Sequence, residues 1–329
     1  MINSDLRLKE NIFASPDTAA TRDGFGKGLV EAGEANPQVV ALSADLTEST
    51  RVEEFKKKFP ERFVEVGVAE QNLATLAAGF AVYGKVPFIT SYASFNPGRN
   101  NEQIRTTISL NQANVKVCGM HAGVSVGPDG ATHQALEDIA LMRVQPNMTV
   151  INPCDSEEAR KATLAAAAYV GPVYMRFGRE KTAVMTTAET PFEIGKANVL
   201  WTSESPAVAI FATGSLVYNA LAAAKALEEK GMQVSVINIH TIKPLDRETI
   251  VREARAAGAV VTVEEHQVAG GLGSAIAEVL AAECPTLIEF IGVHDQFGQS
   301  GTPDELIKHY KMDAESIVAA AEKVISRKV

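Results

Sequence analysis

Gly67-Val68-Ala69-Glu70-Gln71-Asn72 joins an apolar, strand-like run at residues 63–66 to a helical pattern that begins at Glu70. Apolar residues recur on one face of this pattern, at the spacing of an amphipathic helix. In an alternating sheet such a strand-to-helix junction lies at the carboxyl end of a strand, where ligand crevices form. A carboxylate in a first helical turn also favours the helix dipole. The spacing alone therefore leaves a functional and a capping interpretation of Glu70 open.

Strand-like and helical segments alternate on both sides of this junction. Helices of roughly 10 to 15 residues separate six buried-strand patterns, which lie at residues 39–43, 63–66, 86–91, 115–119, 148–152 and 173–177. Alternation of this kind predicts a parallel sheet covered by helices on both faces. We therefore predict a three-layer α/β first domain with a six-stranded parallel sheet.

A break in the periodicity predicts the domain boundary. Residues 180–206 lack a periodic pattern, and we place the boundary near Thr190, which gives domains at residues 1–190 and 191–329. A second alternation starts at residue 207 and predicts a smaller α/β domain. Glu264, Glu265 and His266 end one of its strands, where a catalytic role and a polar surface loop are both open. We expect this domain to have a structural or dimer-supporting role.

The composition excludes several classes of partner. The 329 residues are 46% hydrophobic and carry a formal net charge of -9. A net negative charge argues against a nucleic-acid partner, because phosphate binding relies on clustered Lys and Arg. The chain has no long uncharged apolar run and no apolar secretory core near its amino terminus. We therefore expect a cytoplasmic protein without a membrane partner.

No metal or nucleotide motif is recognisable. The three cysteines are far apart and show no CxxC or His-rich metal spacing. The pattern Gly24-x-Gly26-x-Gly28 lies inside a helical run rather than after a strand, so the dinucleotide fingerprint fails. Residues 270–273 carry Gly-Gly-x-Gly, which is not GxGxxG and is interpreted as a tight turn. We predict no metal ligands in this chain.

The loop at residues 126–134 places an acid, Asp129, and an imidazole, His133, four residues apart after an apolar strand. Its glycines let the backbone turn sharply and approach a ligand. The alternative is a turn in which Thr132 caps a helix at residues 133–143. Two aromatic residues, Tyr92 and Phe95, follow another strand, where they could stack on a flat heterocycle or pack in the core.

Together the residues at these positions resemble the sequence motifs of a known family. The chain is similar to the carboxyl-terminal part of transketolase, a pyrimidine-binding domain followed by a small C-terminal domain with a mixed sheet. The family's amino-terminal domain, which holds the diphosphate and a divalent metal with a GDG…N signature, has no counterpart in these residues. The chain thus resembles the C-terminal subunit of a split transketolase. Seven motifs carry the resemblance in family order, at residues 20–22, 43–50, 67–72, 92–105, 129–137, 175–180 and 241–246.

The resemblance implies the cofactor thiamine diphosphate and four residues that bind it. Glu70 resembles the carboxyl group that favours the reactive tautomer of the aminopyrimidine ring. Tyr92 and Phe95 resemble the aromatic cradle of the pyrimidine, and Asp45 resembles the family acid near the cofactor. Tyr92 replaces the usual phenylalanine, and Pro97-Gly98 stands where long bacterial members place an aromatic residue.

The resemblance also implies the substrate contacts. His121 and His133 resemble residues that bind the oxygens of the donor sugar, and His133 joins Glu70 as a catalytic candidate. Asp129 resembles the residue that reads the configuration of a hydroxyl group. The residues that bind the sugar phosphate in the family are resembled here by Arg22, Ser49 and Arg179.

A partner chain follows from the same resemblance. An N-terminal transketolase subunit would carry the diphosphate-binding domain and hold Mg²⁺ or another divalent ion. We expect this chain to self-associate and to bind that subunit, which gives an α2β2 assembly that acts on sugar phosphates of the pentose phosphate pathway. Two other enzymes are alternatives, namely the beta subunit of a 2-oxo-acid dehydrogenase first component and a deoxyxylulose-phosphate synthase. A non-catalytic assembly subunit is a third alternative.

Overall fold

Strands and helices alternate throughout residues 1–328, which the computed structural model describes. The strands are β1 (Thr18–Ala20), β2 (Val39–Ser43), β3 (Phe63–Glu65), β4 (Val86–Tyr92), β5 (Lys116–Met120), β6 (Thr149–Ile151), β7 (Val173–Arg176), β8 (Lys181–Ala183), β9 (Asn198–Trp201), β10 (Val208–Ala212), β11 (Val234–Asn238), β12 (Thr241–Lys243), β13 (Ala259–Gln267) and β14 (Leu287–Val293). The helices are α1 (Thr21–Ala35), α2 (Glu53–Lys58), α3 (Glu70–Val82), α4 (Asn101–Gln103), α5 (Asp138–Arg143), α6 (Ser156–Ala168), α7 (Val217–Glu229), α8 (Arg247–Ala257), α9 (Leu272–Glu283), α10 (Pro303–His309) and α11 (Ala314–Ser326). None of these helices is long and apolar enough to cross a membrane.

The first domain is built on a sheet with the order β12-β6-β7-β5-β4-β2-β3. Six of its strands are the predicted ones, and they pair in parallel. All five residues of β2 are buried, as expected for a strand that helices cover on both faces. The seventh strand, β12, was not predicted. It follows β11 of the second domain and pairs antiparallel with β6, and three residues are too few to show a period.

A two-stranded sheet ties the amino-terminal segment to the end of β7. The lead-in was expected to be irregular, but Thr18–Ala20 pairs antiparallel with Lys181–Ala183. The backbone N–H of Gly178 donates to the Thr21 hydroxyl at 2.8 Å. These contacts set the first turn of α1 beside the carboxyl end of β7.

The second domain contains a five-stranded mixed sheet with the order β14-β13-β10-β11-β9. Its strands pair in parallel except for β9, which runs antiparallel to β11. The predicted smaller α/β domain with a mixed sheet is therefore confirmed. The predicted boundary near Thr190 falls between β8 and β9 and stays a prediction.

Charged residues lie buried where the two domains meet. The guanidinium of Arg176, at the end of β7, forms an ion pair with Asp138 at 2.8 Å, and both side chains are at most 5% exposed. Glu264, Glu265 and His266 are also buried. The surface-loop interpretation of these three residues was wrong. β13 continues through them to Gln267, and its end forms hydrogen bonds with Arg176 and Leu136 of the first domain.

Candidate active site

The predicted site residues converge on one edge of the first sheet. Five neighbouring strands, β7, β5, β4, β2 and β3, end there. Since the carboxyl ends of parallel strands meet at the same edge, the loops that follow them form a crevice. These loops carry the predicted site residues Asp45, Ser49, Glu70, Tyr92, Phe95, His121, Asp129, His133 and Arg179, and Arg22 lies in the first turn of α1.

Glu70 is the first residue of α3, yet its side chain is only 1% exposed. Its Oε2 lies 2.8 Å from Nη1 of Arg99, and its Oε1 accepts a hydrogen bond from the Ser91 hydroxyl at 3.3 Å. The Asn100 side chain donates to its backbone carbonyl at 3.0 Å. An acid that serves only the helix dipole needs no burial. The burial of Glu70 therefore favours the functional interpretation over the capping one.

Four aromatic and imidazole rings pack together beside Glu70. The rings of Tyr92 and His121 stack with centroids 4.2 Å apart and an interplanar angle of 20°. The His133 ring meets Phe95 edge to face at 5.5 Å. The Arg99 guanidinium lies 4.4 Å from the centre of the Phe95 ring and so joins Glu70 to the ring cluster. Tyr92, Phe95 and His133 stay partly exposed and accessible to a ligand.

A second group of contacts surrounds Arg22. Its Nη1 lies 2.8 Å from Nε2 of His121 and donates to the Ser49 carbonyl at 3.0 Å. Its buried Nε makes no hydrogen bond to a described residue. Burial, followed by the nearby Arg51, lowers the pKa of Arg22, and Arg179 acts in the same direction. The local field is positive, which suits an anionic ligand.

Arg179 and Asp129 face each other across the crevice. Nη1 of Arg179 lies 3.2 Å from Oδ2 of Asp129 and donates to the Val126 carbonyl at 3.1 Å. Both side chains are partly exposed, at 34% and 40%. The pair is therefore weak and open to competition from a ligand.

His121 is held in its neutral form. Burial, followed by Arg22 and Arg179, lowers the pKa of His121 to about 3. Since the Arg22 guanidinium can only donate, Nε2 accepts and Nδ1 carries the proton. That buried Nδ1 has no partner among the described residues, so it is available to donate to a ligand oxygen.

We predict that His121 does not titrate between about pH 5 and about pH 8. The lowered pKa means that the imidazole is neutral throughout this window, and any pH dependence of activity in it comes from other groups. NMR of protein labelled at histidine nitrogens measures this directly, with free N-acetylhistidine in the same buffer as a control. Arg22→Leu should raise the pKa, because it removes one of the causes of the shift. An imidazole of His121 that titrates with a midpoint inside the window would contradict the assignment.

Asp45 lies at the same edge but outside these networks. Its side chain is exposed and makes no hydrogen bond to a described residue. Its backbone has a left-handed φ of 59°, and its N–H donates to Glu65 at 2.7 Å. A positive φ at a non-glycine residue costs about 1–3 kcal/mol and is typical of functional loops.

The loop that carries Asp129 and His133 is not a helix start. The helix predicted at residues 133–143 begins only at Asp138, so Thr132 does not cap it. The Gln134 side chain instead lies within hydrogen-bond distance of the carbonyls of Val124, Gly127 and Gln299, at 3.0 to 3.2 Å. Gln299 belongs to the second domain, which therefore helps to hold this loop.

Sequence reasoning missed Gln134, Arg99 and Ser91. Each acts through a partner that is distant in sequence, so no local spacing marks it. A glutamine at the end of a glycine-rich loop was the one available signal for Gln134.

Comparisons with known proteins now bear on this site. The family model described as "Transketolase, pyrimidine binding domain" matches residues 17–184, and the one described as "Transketolase, C-terminal domain" matches residues 195–317. The chain belongs to the transketolase family. The resemblance, the fold and the enzyme class predicted from the sequence are confirmed, and family membership implies dependence on thiamine diphosphate.

Three relatives of similar length match most of the chain. A putative transketolase C-terminal section of Methanocaldococcus jannaschii is 44% identical over 299 residues, which cover 90% of this chain and 93% of the relative. The 6-deoxy-6-sulfo-D-fructose transketolase subunit SqwH of a Clostridium species is 40% identical over 307 residues, which cover 93% and 95%. A solved split gene transketolase, described as an inactive beta4 tetramer, is 46% identical with a TM-score of 0.88 and covers 94% of this chain and 99% of that one. The prediction of a C-terminal transketolase subunit is thereby confirmed.

Proposed function

We propose that this chain completes a transketolase that transfers a two-carbon ketol unit from a ketose phosphate to an aldose phosphate. The observation that carries the proposal is the meeting of three features at one sheet edge. They are the buried acid Glu70, the aromatic pair Tyr92 and Phe95, and the arginine and histidine cluster around Arg22. Thiamine diphosphate, when bound, supplies the nucleophilic carbon for such a transfer.

The residues at the end of β4 fit the aminopyrimidine part of that cofactor. Tyr92 and Phe95 offer partly exposed aromatic faces, on which a flat heterocycle stacks. Glu70 lies buried beside them, linked to the Phe95 ring through Arg99. Its carboxyl group would hold a proton at a ring nitrogen, and Asp45 would line the same part of the site.

The residues around Arg22 fit a phosphorylated sugar. Arg22 has an unpartnered buried Nε, and the forked guanidinium group suits phosphate geometry. Arg179 would join it, since its pair with Asp129 is long and half exposed. The Ser49 carbonyl orients Arg22. The neutral imidazole of His121 and the side chain of His133 would donate to hydroxyl or carbonyl oxygens of the donor. Asp129 would accept from a hydroxyl of the acceptor.

A partner subunit would hold the diphosphate and its divalent ion. The described residues contain no group of three or more His, Cys, Asp or Glu that could bind a metal. The helix that begins at Glu70 also leaves an apolar face open, where Leu76, Val82 and Tyr83 are 38%, 83% and 87% exposed. An N-terminal transketolase subunit docked there would lie next to Glu70. We propose an α2β2 assembly with Mg²⁺ held mainly by that subunit, acting on sugar phosphates of the pentose phosphate pathway.

Reconstitution tests the proposed function. The chain is mixed with an N-terminal transketolase subunit, thiamine diphosphate and Mg²⁺, and ketol transfer between sugar phosphates is measured. A complex that takes up cofactor and transfers the ketol unit supports the proposal. A complex that forms but neither takes up cofactor nor turns over would identify an assembly subunit instead.

Two substrate residues give a finer prediction. His133→Ala should lower the rate of ketol transfer more than it lowers cofactor affinity, because we place this imidazole on the substrate side. Asp129→Ala should weaken discrimination between acceptor hydroxyl epimers by about 2- to 10-fold, the value of one hydrogen bond. Ala131→Ser, at an exposed position of the same loop, is the control for both variants.

The ratio of kcat/KM for two epimeric acceptors measures the effect of Asp129. An unchanged ratio in Asp129→Ala would remove this residue from the site. For His133→Ala, a loss of cofactor affinity as large as the loss of rate would place the imidazole at the cofactor instead.

A further inference from the structure

A polar cavity of about 140 Å³ lies between the two domains, behind the crevice described above. Thr21 and Ala122, which contribute to its wall, are sequence neighbours of Arg22 and His121. None of the residues that we assign to cofactor or substrate lines it. The second domain supplies the opposite wall through Ser215 and Glu265. The cavity is thus lined by chain neighbours of the proposed site residues but not by those residues themselves.

Two deeply buried side chains in this wall lack partners. Asn152 is 4% exposed, and its carboxamide makes no hydrogen bond to a described residue, although its backbone is paired. Arg176 is also 4% exposed. Its Nε bonds to Asp138 and its Nη2 to two carbonyls, whereas its Nη1 has no partner in residues 1–328. Buried polar groups are nearly always hydrogen-bonded to protein or water, so these groups are free to bind water or a ligand in the cavity.

The cavity offers an acceptor as well as donors. Glu265 is 4% exposed and accepts from the Ser125 N–H at 2.6 Å and from the Ser215 hydroxyl at 3.0 Å. A carboxylate has about four acceptor positions, so further capacity remains. Burial raises the pKa of Glu265, which reflects the cost of keeping a charge there.

These groups select against charged ligands. The lining carries charges of both signs, from Arg176 and Lys181 and from Glu180, Glu265 and Asp304, so a small anion and a small cation each meet groups that repel them. A hydroxyl group both donates and accepts, so it can pair with Arg176, Asn152 and Glu265 in turn. A cavity of about 150 Å³ holds a molecule of benzene size, which corresponds to about six heavy atoms.

We propose that this interdomain cavity binds a small uncharged polyhydroxy molecule of about three to four carbon atoms. Asn152 and Nη1 of Arg176 donate to its hydroxyl groups, and Glu265 and the Asn152 carbonyl oxygen accept from them. The occupied site reinforces the loop that carries Asp129, because Glu265 also holds the Ser125 N–H at the base of that loop. Binding at this site does not depend on ketol transfer.

Calorimetric titration of the full chain with glycerol and with erythritol tests the proposal. We expect dissociation constants on the order of 1 mM, as suits ligands of this size. Asn152→Leu, which has nearly the same shape without the amide, should weaken binding by about tenfold or more. Asn152→Ala is a second variant in case the leucine perturbs folding, and Asn111→Ala, at an exposed site, is the control. Thermal unfolding without ligand checks that each variant is folded.

Polyol binding that is lost in the Asn152 variants and kept in Asn111→Ala supports the proposal. Binding of neither polyol, or equal binding by the Asn152 variants and the wild type, would overturn it. A preference for glycerate or glycerol 3-phosphate over glycerol would overturn the uncharged class of ligand. Amide NMR shifts at Ser125 and Ser215 locate the ligand, and shifts confined to the active-site crevice would also count against the cavity.

Discussion

Glu70→Ala should slow ketol transfer in the assembled enzyme by about 100- to 10,000-fold, the usual cost of removing a positioned acid–base group. The Glu70 carboxyl group is buried beside Ser91 and Arg99 and is proposed to hold a proton at the aminopyrimidine ring. The variant should still fold. Its partner Arg99 is 47% exposed, so that guanidinium can be hydrated once the carboxylate is gone.

Exchange of the cofactor's thiazolium proton with deuterium is the decisive measurement for Glu70, because it reports the proton step without the sugar. Glu248→Ala is a matched control. Glu248 also lies in a first helical turn, at the start of α8, but its side chain is exposed in the second domain. If Glu70 served only the helix dipole, both variants would lose about 0.3–1 kcal/mol of stability and neither would lose exchange. An exchange rate near that of the wild type in Glu70→Ala would refute the catalytic role.

The fold was predictable where burial leaves a strong local pattern. β2, β4 and β5 contain apolar runs that lie between helical patterns, so both their existence and their parallel pairing followed from the sequence. The short strands outside the predicted set were not recognised from the sequence. β12 and the pair of β1 with β8 have three residues each and depend on partners far along the chain, which no window of local sequence contains.

The position of the site was predictable for the same reason, because it follows from the recognisable strands. Strand ends could be located, so Glu70, Tyr92 and His121 were expected at one edge, and the structure brings them together. Their supporting contacts were not predictable. The ion pair of Glu70 with Arg99 depends on a turn after β4. The neutral state of His121 depends on burial and then on Arg22, which is 99 residues away.

The second domain has a more direct connection to the site than we expected. Arg176 donates to the carbonyls of Ala135 and Glu265 and so bridges the two domains. Glu265 and Gln299 hold the two ends of the loop that carries Asp129 and His133. This domain therefore positions the loop that carries Asp129 and His133, in addition to any part that it plays in assembly.

The last prediction concerns the chain without a partner. We expect no ketol transfer above background when these 329 residues are assayed alone with thiamine diphosphate and Mg²⁺. A diphosphate needs oriented amides, cations or a metal with oxygen ligands. The described residues contain no metal cluster, and Arg99, the arginine that lies over the Phe95 ring, is engaged with Glu70. The related split gene transketolase was solved as an inactive beta4 tetramer.

The chain alone should also show a characteristic pattern of cofactor affinities. Because only the pyrimidine end finds contacts, the chain alone should bind thiamine and thiamine diphosphate with the same weak affinity, and Mg²⁺ should make no difference. Added N-terminal subunit should restore a strong preference for the diphosphate, and activity should saturate at an equimolar ratio of the two chains, as an α2β2 assembly requires. The N-terminal subunit alone is the control for background transfer. Two results would contradict the split-site proposal: robust turnover by this chain alone, or a preference for the diphosphate when no partner is present. Either result would mean that the chain's own residues hold the diphosphate.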